Sequence, residues 1–249
     1  IFPSARECKI HTPGLNSSTR TAKLAKGPSV ELKTKRSKVT EKQYRKQLVY
    51  TNRICVENGL IRSSDGNISI RLDEDRFLIT PSGLYKRRMK HKQILVVNRK
   101  GELIHGKGTL KPSSELLMHL EVYRQREDIN AVLHAHPPYS TALTIAGIPF
   151  PENIVPEVLT LLGEVATAPY AVPGTRDLAQ SISEPIKNHD AVLLSNHGSL
   201  TIGKTLEQAL IALERMEFAA QLYYLACNLG KVIPLPEEEL SRLNRLPAG

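Results

Sequence analysis

At 249 residues, with 41% hydrophobic and 24% charged residues, the chain has the balance of an ordinary soluble globular protein of one large or two small domains. No apolar run approaches the roughly 18 residues of a membrane span. Three scattered cysteines (Cys8, Cys55, Cys227) argue against a disulfide framework and imply a reducing, cytoplasmic setting.

The net charge of +9 is concentrated at one end. Residues 1–47 hold 12 of the 34 basic and 3 of the 25 acidic residues, which leaves 22 of each in the rest. The balanced body does not look like a nucleic-acid-binding domain. Residues 1–40 are rich in Ser, Thr, Lys, Pro and Gly without periodicity and read as a basic, flexible tail. A polyanion-binding arm or a transit-type leader are its alternative readings, and Ile1 is an unusual first residue.

From residue 41 the pattern turns globular. EKQYRKQLVYTNRICVENG reads as an amphipathic helix with Leu48 and Cys55 inward, stopped by Gly59. NISIRL, RFLIT, ILVVN and ELIHG follow as short strands joined by turns. SSELLMHLEVYRQR is a predicted helix, INAVLHA a strand, and PPYSTALTIAG a helix with prolines at its start. GTRDLAQSISEPIKN is the next helix, AVLLSNH and SLTIG are strands, and TLEQALIALERMEFAAQLYYLACNLG is a long helix closed by Gly230. Residues 236–249 are a C-terminal extension. Early hairpins followed by mixed strands and helices predict an α/β fold whose sheet is covered by helices, without a regular parallel βαβ array.

The chemistry begins at NAVLHAHPPYS. His134 and His136 are two residues apart at the end of an apolar strand, so both rings face one side of the sheet. AVLLSNHGSL repeats that pattern and offers His197. Two such tips side by side would gather three imidazoles, a donor set suited to Zn²⁺, and Glu115 in KPSSELLMH is the candidate fourth ligand. His119, one helical turn further on in an apolar stretch, reads as a packed or hydrogen-bonded core histidine. His91, His105 and His189 read as surface residues. SDGNIS, TPSG and KPSSE each have a plain turn or cap explanation (Gly66, Ser82–Gly83, Ser113). Together they supply the hydroxyls, amides and helix N-terminus with which proteins hold a phosphate dianion.

GNIS, TPSG, PSSE, HAH and NHG, in this order and spacing, resemble the class II aldolase/adducin family, and within it the L-fuculose-1-phosphate aldolase branch, over residues 41–230. The resemblance implies a three-layer α/β/α fold with a mainly antiparallel, mixed sheet, the domain running over 41–235. It implies a homotetramer with sites at subunit interfaces. It also implies one Zn²⁺ per subunit on His134, His136 and His197, with Glu115 as resting ligand and catalytic acid/base. The phosphate pocket would fall on Gly66, Asn67, Ser82, Gly83, Ser113 and Ser114.

The implied reaction is cleavage of a phosphorylated ketose, such as L-fuculose 1-phosphate, to dihydroxyacetone phosphate and an aldehyde through a metal-stabilised enediolate. That carbanion is too basic to form unaided, a carboxylate beside the ion can move its proton, and remote phosphate binding positions the reacting carbon. A pentulose-5-phosphate 4-epimerase, a sugar-phosphate dehydratase and a non-catalytic adducin-like module are the alternatives. One departure stands out. The family's tyrosine that protonates the aldehyde oxygen falls near Asn153, in FPENIVPE, where there is none; Tyr170, Glu157 and Glu164 are the substitutes within reach in sequence.

Overall fold

Helix α1 (Glu41–Glu57) starts where Thr40 accepts the Gln43 amide and Gln43 reaches back to Thr40, a capping box that satisfies two donors at once. It buries Leu48, Val49 and Cys55 against the sheet and ends, as predicted, at Asn58–Gly59. The structure, a computed structural model, describes residues 39–243. The basic tail, with its alternative readings, and residues 244–249 lie outside the described residues. From Thr40 onward the chain forms a unit of its own.

Four hairpin strands follow: β1 (Asn67–Arg71), β2 (Arg76–Ile79), β3 (Leu95–Asn98) and β4 (Leu103–His105). Then come α2 (Leu116–Gln125), β5 (Ala131–Ala135), α3 (Pro138–Ile145), β6 (Val165–Ala168), α4 (Arg176–Ser183), β7 (Ala191–Leu194), β8 (Gly198–Gly203), α5 (Leu206–Leu229) and α6 (Glu237–Leu243). The eight strands form one sheet in the order β4-β3-β2-β1-β5-β8-β7-β6, antiparallel except for the β6–β7 edge pair.

Two apolar layers sandwich that sheet. Alternate residues of β5 supply both: Ala131, Leu133 and Ala135 meet the layer of α1, α3 and α5, while Val132 faces the layer of α2 and α4. The expected three-layer α/β/α architecture with a mixed, mainly antiparallel sheet is what the chain forms.

Four elements depart from the sequence reading. α2 begins at Leu116, three residues late, because Ser113 closes a turn first: its carbonyl accepts the Leu116 amide and its hydroxyl the Glu115 amide. α4 stops at Ser183, since Pro185 cannot continue it and a 3₁₀ turn takes over. The π-helical turn Val158–Leu162 and β6 are absent from the sequence reading; VATA is four residues long and adjoins Pro169. Among the described residues no helix is long and apolar enough to cross a membrane.

Candidate active site

His134 sits in register between Asn67 of β1 and Leu200 of β8, so two neighbouring strands fix its backbone. His136 lies one residue past the end of β5, its amide donating to the Leu60 carbonyl at 3.1 Å. The chain then turns straight into α3, whose first turn is anchored by buried Glu217: its carboxylate accepts the Tyr139 and Ser140 amides and the Ser140 hydroxyl at 2.8–2.9 Å.

His197 ends the tight connection between β7 and β8. Asn196 there takes a left-handed conformation (φ 53°) and donates its amide to the Thr144 hydroxyl, while the Ser195 hydroxyl donates to the Ala168 carbonyl. Gly198 then lets the two strand tips meet. A Cβ at this position would collide with the Ala135 carbonyl oxygen and lie 2.7 Å from His136 Cδ2.

The three rings converge, with centroids 4.8–5.1 Å apart and ligand atoms within 4.8 Å of one another. His134 donates Nδ1–H to the Ser199 carbonyl at 2.8 Å, which aims its Nε2 at the other two rings. That nitrogen lies 3.0 Å from His136 Nε2 and 3.2 Å from Glu115 Oε2. His197 Nε2 is 3.2 Å from Glu115 Oε1. Burial first, then neighbouring His134 and His197, push His136 down to about 3, so its ring is neutral and able to act as a ligand. Three imidazoles and a carboxylate gathered at such range form a ready cation site. The 3.0 Å between His134 and His136 Nε2 is close to the about 3.3 Å that separates two donors on a tetrahedral ion with 2.0–2.1 Å bonds. The donor set therefore fits a divalent metal.

Glu115, at the entrance to α2, is buried. Burial alone would raise its carboxyl, but the facing imidazoles of His134 and His197 and the hydrogen bond from Asn67 outweigh it and hold the group well below the usual carboxylate range. Asn67 donates Nδ2–H to Glu115 Oε2 at 2.7 Å, and its Oδ1 meets His119 Nε2. Both ends of the Asn67 carboxamide are thereby engaged. His119 is fully buried and hydrogen-bonded, as its apolar setting suggested.

The three polar stretches come together beside this cluster. A β-bridge joins Pro81 to Pro112, the Ser82 amide donates to the Lys111 carbonyl, and the Ser113 amide donates to the Thr80 carbonyl. Ser82, Gly83 and Ser114 are exposed at the rim and Ser113 is buried below. Gly66 opens β1 with φ 67°, its α-carbon so close to the strand tip that a Cβ would stand 2.8 Å from the His134 carbonyl oxygen. Buried Lys86 donates to the Pro81 carbonyl at 3.3 Å beneath the Pro81–Gly83 loop. Sequence reasoning missed it because Lys-Arg-Arg looks like solvated surface.

The substitutes for the missing tyrosine fare differently. Tyr170 is 60% exposed, in the loop whose Gly174 approaches Ser114. Glu157 is exposed at the π-helical turn. Glu164 precedes the end of β6 that pairs with Ala191, whereas the His197 turn is bonded to the other end at Ala168. Glu164 instead lies 3.6 Å from half-buried His189, which also bonds the Pro185 carbonyl.

Residues 46–224 match the Class II Aldolase and Adducin N-terminal domain. The chain belongs to the class II aldolase/adducin family. A 5-deoxy-D-ribulose 1-phosphate aldolase of Bacillus thuringiensis serovar kurstaki is 38% identical over 201 residues, 80% of this chain and 92% of that one. A 3-oxo-tetronate 4-phosphate decarboxylase of Haemophilus influenzae is 30% identical over 190 residues, 75% and 89% of the two chains. Among solved structures, an L-fuculose 1-phosphate aldolase superposes with a TM-score of 0.73 at 33% identity, covering 80% of this chain and 93% of its own.

Proposed function

We propose that residues 41–235 form a Zn²⁺-dependent aldolase that cleaves a 1-phosphorylated ketose, of the L-fuculose or 5-deoxyribulose 1-phosphate type, to dihydroxyacetone phosphate and an aldehyde. The observation carrying this reading is Glu115, whose two carboxylate oxygens stand 3.2 Å from the Nε2 atoms of His134 and His197. A closed structural zinc site would have little use for a fourth ligand that can also carry a proton.

His134, His136 and His197 would hold the ion, with Glu115 completing the shell at rest. When bound, the ion supplies Lewis acidity to the substrate's carbonyl and hydroxyl oxygens. Glu115 would move the proton at the carbon next to the carbonyl, while Asn67 keeps hold of Oε2. Gly66, Ser82, Gly83, Ser113 and Ser114 would cradle the phosphate, with only the second amide N–H of Asn67 left to join them, and the Lys86 ammonium below the loop adds positive charge. Binding at the phosphate fixes the reacting carbon over Glu115. The working form is a cytoplasmic homotetramer; buried, unbridged Cys55 suits a reducing setting, and the exposed Phe218, Tyr224, Leu225 and Leu229 along α5 suit contacts between subunits.

Incubating the metal-loaded protein with a panel of ketose phosphates tests the reading. Release of dihydroxyacetone phosphate supports it. A C4-inverted pentulose phosphate without triose would make the protein an epimerase, loss of water a dehydratase, and carbon dioxide from an oxo-acid phosphate a decarboxylase.

A further inference from the structure

Glu115 is the outer end of a buried chain of hydrogen bonds that runs back into the α2 side of the core. Asn67 Nδ2 reaches Glu115 Oε2 at 2.7 Å, His119 Nε2 meets Asn67 Oδ1, Ser69 Oγ lies 2.7 Å from His119 Nδ1, and the Tyr123 hydroxyl lies 2.8 Å from Ser69 Oγ. Asn67, Ser69, His119 and Tyr123 are each at most 4% exposed.

The direction of every bond follows from the first. An ionised carboxylate only accepts, so the Asn67 NH₂ must face it. Asn67 Oδ1 then needs a donor, which fixes the proton of neutral His119 on Nε2. His119 Nδ1 becomes an acceptor, the Ser69 hydroxyl donates to it, and Ser69 in turn accepts from Tyr123. Tyr123 is immobilised by stacking on Phe77, 4.8 Å between ring centroids, and by the Arg71 guanidinium 4.9 Å from its ring centre. Burial, chiefly, keeps His119 neutral, as this arrangement requires.

We propose that His119 is a positioning residue: through Asn67 it locks the carboxamide with its NH₂ toward Glu115 and so holds that carboxylate against the histidine cluster in a single orientation. This inference rests on the reading of Glu115 as a metal ligand. A flipped Asn67 would set two oxygen acceptors against each other at the carboxylate and two N–H groups against each other at the imidazole. With His119 in place that flip is doubly penalised. Without a donor at position 119 only the carboxylate end opposes it, and Glu115 gains freedom to swing.

The test compares His119→Leu, which removes the donor, with His119→Gln, which keeps an N–H. Ser69→Ala serves as a variant deeper in the chain that deletes only a hydroxyl. Each protein is stripped, titrated with Co²⁺ against a competing chelator, and its visible absorption recorded; kcat and KM are then measured on the ketose phosphate that the wild type turns over. His119→Leu is expected to weaken Co²⁺ binding and lower kcat by roughly 10- to 100-fold each, the usual range for loss of a group that orients a metal ligand. Its absorption should change and KM should stay near that of the wild type. His119→Gln should recover most of this, and Ser69→Ala should show a smaller loss of the same kind. Wild-type Co²⁺ affinity and absorption in folded His119→Leu would overturn the proposal, as would His119→Gln behaving no better than His119→Leu. If His119→Leu does not fold, unchanged Co²⁺ affinity in Ser69→Ala overturns it. A wild-type protein that takes up no Co²⁺ would bring down the metal reading itself, a result separate from any comparison among the variants.

Discussion

The Nε2 atoms of His134 and His136 stand 3.0 Å apart, with the His134 ring fixed by the bond from its Nδ1–H to the Ser199 carbonyl. Both nitrogens face the point on which His197 and Glu115 also converge. His136→Ala removes one side of that pair and leaves two histidines and Glu115. Bound zinc, measured by elemental analysis after dialysis, should drop sharply; an unchanged stoichiometry would take His136 out of the site. In the unsubstituted protein, zinc at about a thousand times its dissociation constant should add about 4 kcal/mol of stability by mass action, seen as a rise in melting temperature over the stripped form.

Gly198 decides whether His197 can reach the other two histidines. Its missing Cβ is the space occupied by the Ala135 carbonyl, which belongs to the backbone and cannot swing aside as a side-chain tip can. Gly198→Ala should therefore part the tips of β5 and β8, at a cost of about 1–3 kcal/mol of the kind overpacking brings. Metal affinity should fall even though no ligand has been changed. Denaturant melts together with metal titration check this, and wild-type values in both would show that the strands tolerate the methyl group.

Lys86 sets stability against function. Its burial drives the ammonium down to about 8 from 10.5, against the opposing pull of Asp65 and Glu115. Below pH 8 both folded and unfolded chains carry the proton and the folded one bears the desolvation cost. Between pH 8 and 10.5 the unfolded chain keeps a proton that the folded chain has shed, so this group makes stability rise with pH across that window, by roughly 3 kcal/mol in full. Lys86→Met should consequently be more stable than the wild type at pH 7, with the gap closing toward pH 10.5. If the ammonium adds charge to the phosphate cradle, the same variant should bind inorganic phosphate more weakly. A variant with equal stability at both pH values would mean that the charge is solvated after all.

Much of this was legible in the chain. Unbroken apolar runs in AVLHA and AVLL located the strands, and histidine at or just past the end of each located the cluster, with a period of two placing His134 and His136 on one face. The Ser, Gly and Asn stretches were visible for the same local reason. Other features depended on strand order. Nothing in the sequence says that β1 lies beside β5 and so brings Asn67 opposite His134, which is what turns Asn67 toward Glu115. His119 showed its spacing of four from Glu115, yet the residue that links them comes from a strand some fifty positions away. β6 was missed because its parallel pairing with β7 supports a four-residue segment that local pattern alone would leave as loop.

Glu115→Gln separates holding the metal from moving the proton. The amide is nearly isosteric with the carboxylate, and its remaining oxygen could still accept from Asn67 Nδ2. Three histidines remain to bind the ion, so much of the zinc should stay. The amide cannot take up a proton at neutral pH, so turnover should fall by about 10²–10⁴, the usual contribution of a positioned acid/base. Binding of the phosphate end should be little altered, since Ser82, Gly83 and Ser114 are untouched. Measured together, zinc content near that of the wild type, a phosphate affinity close to normal and a collapsed kcat would assign the proton transfer to Glu115. Normal turnover with the amide would move that role to another group, and loss of all zinc would make Glu115 primarily a ligand.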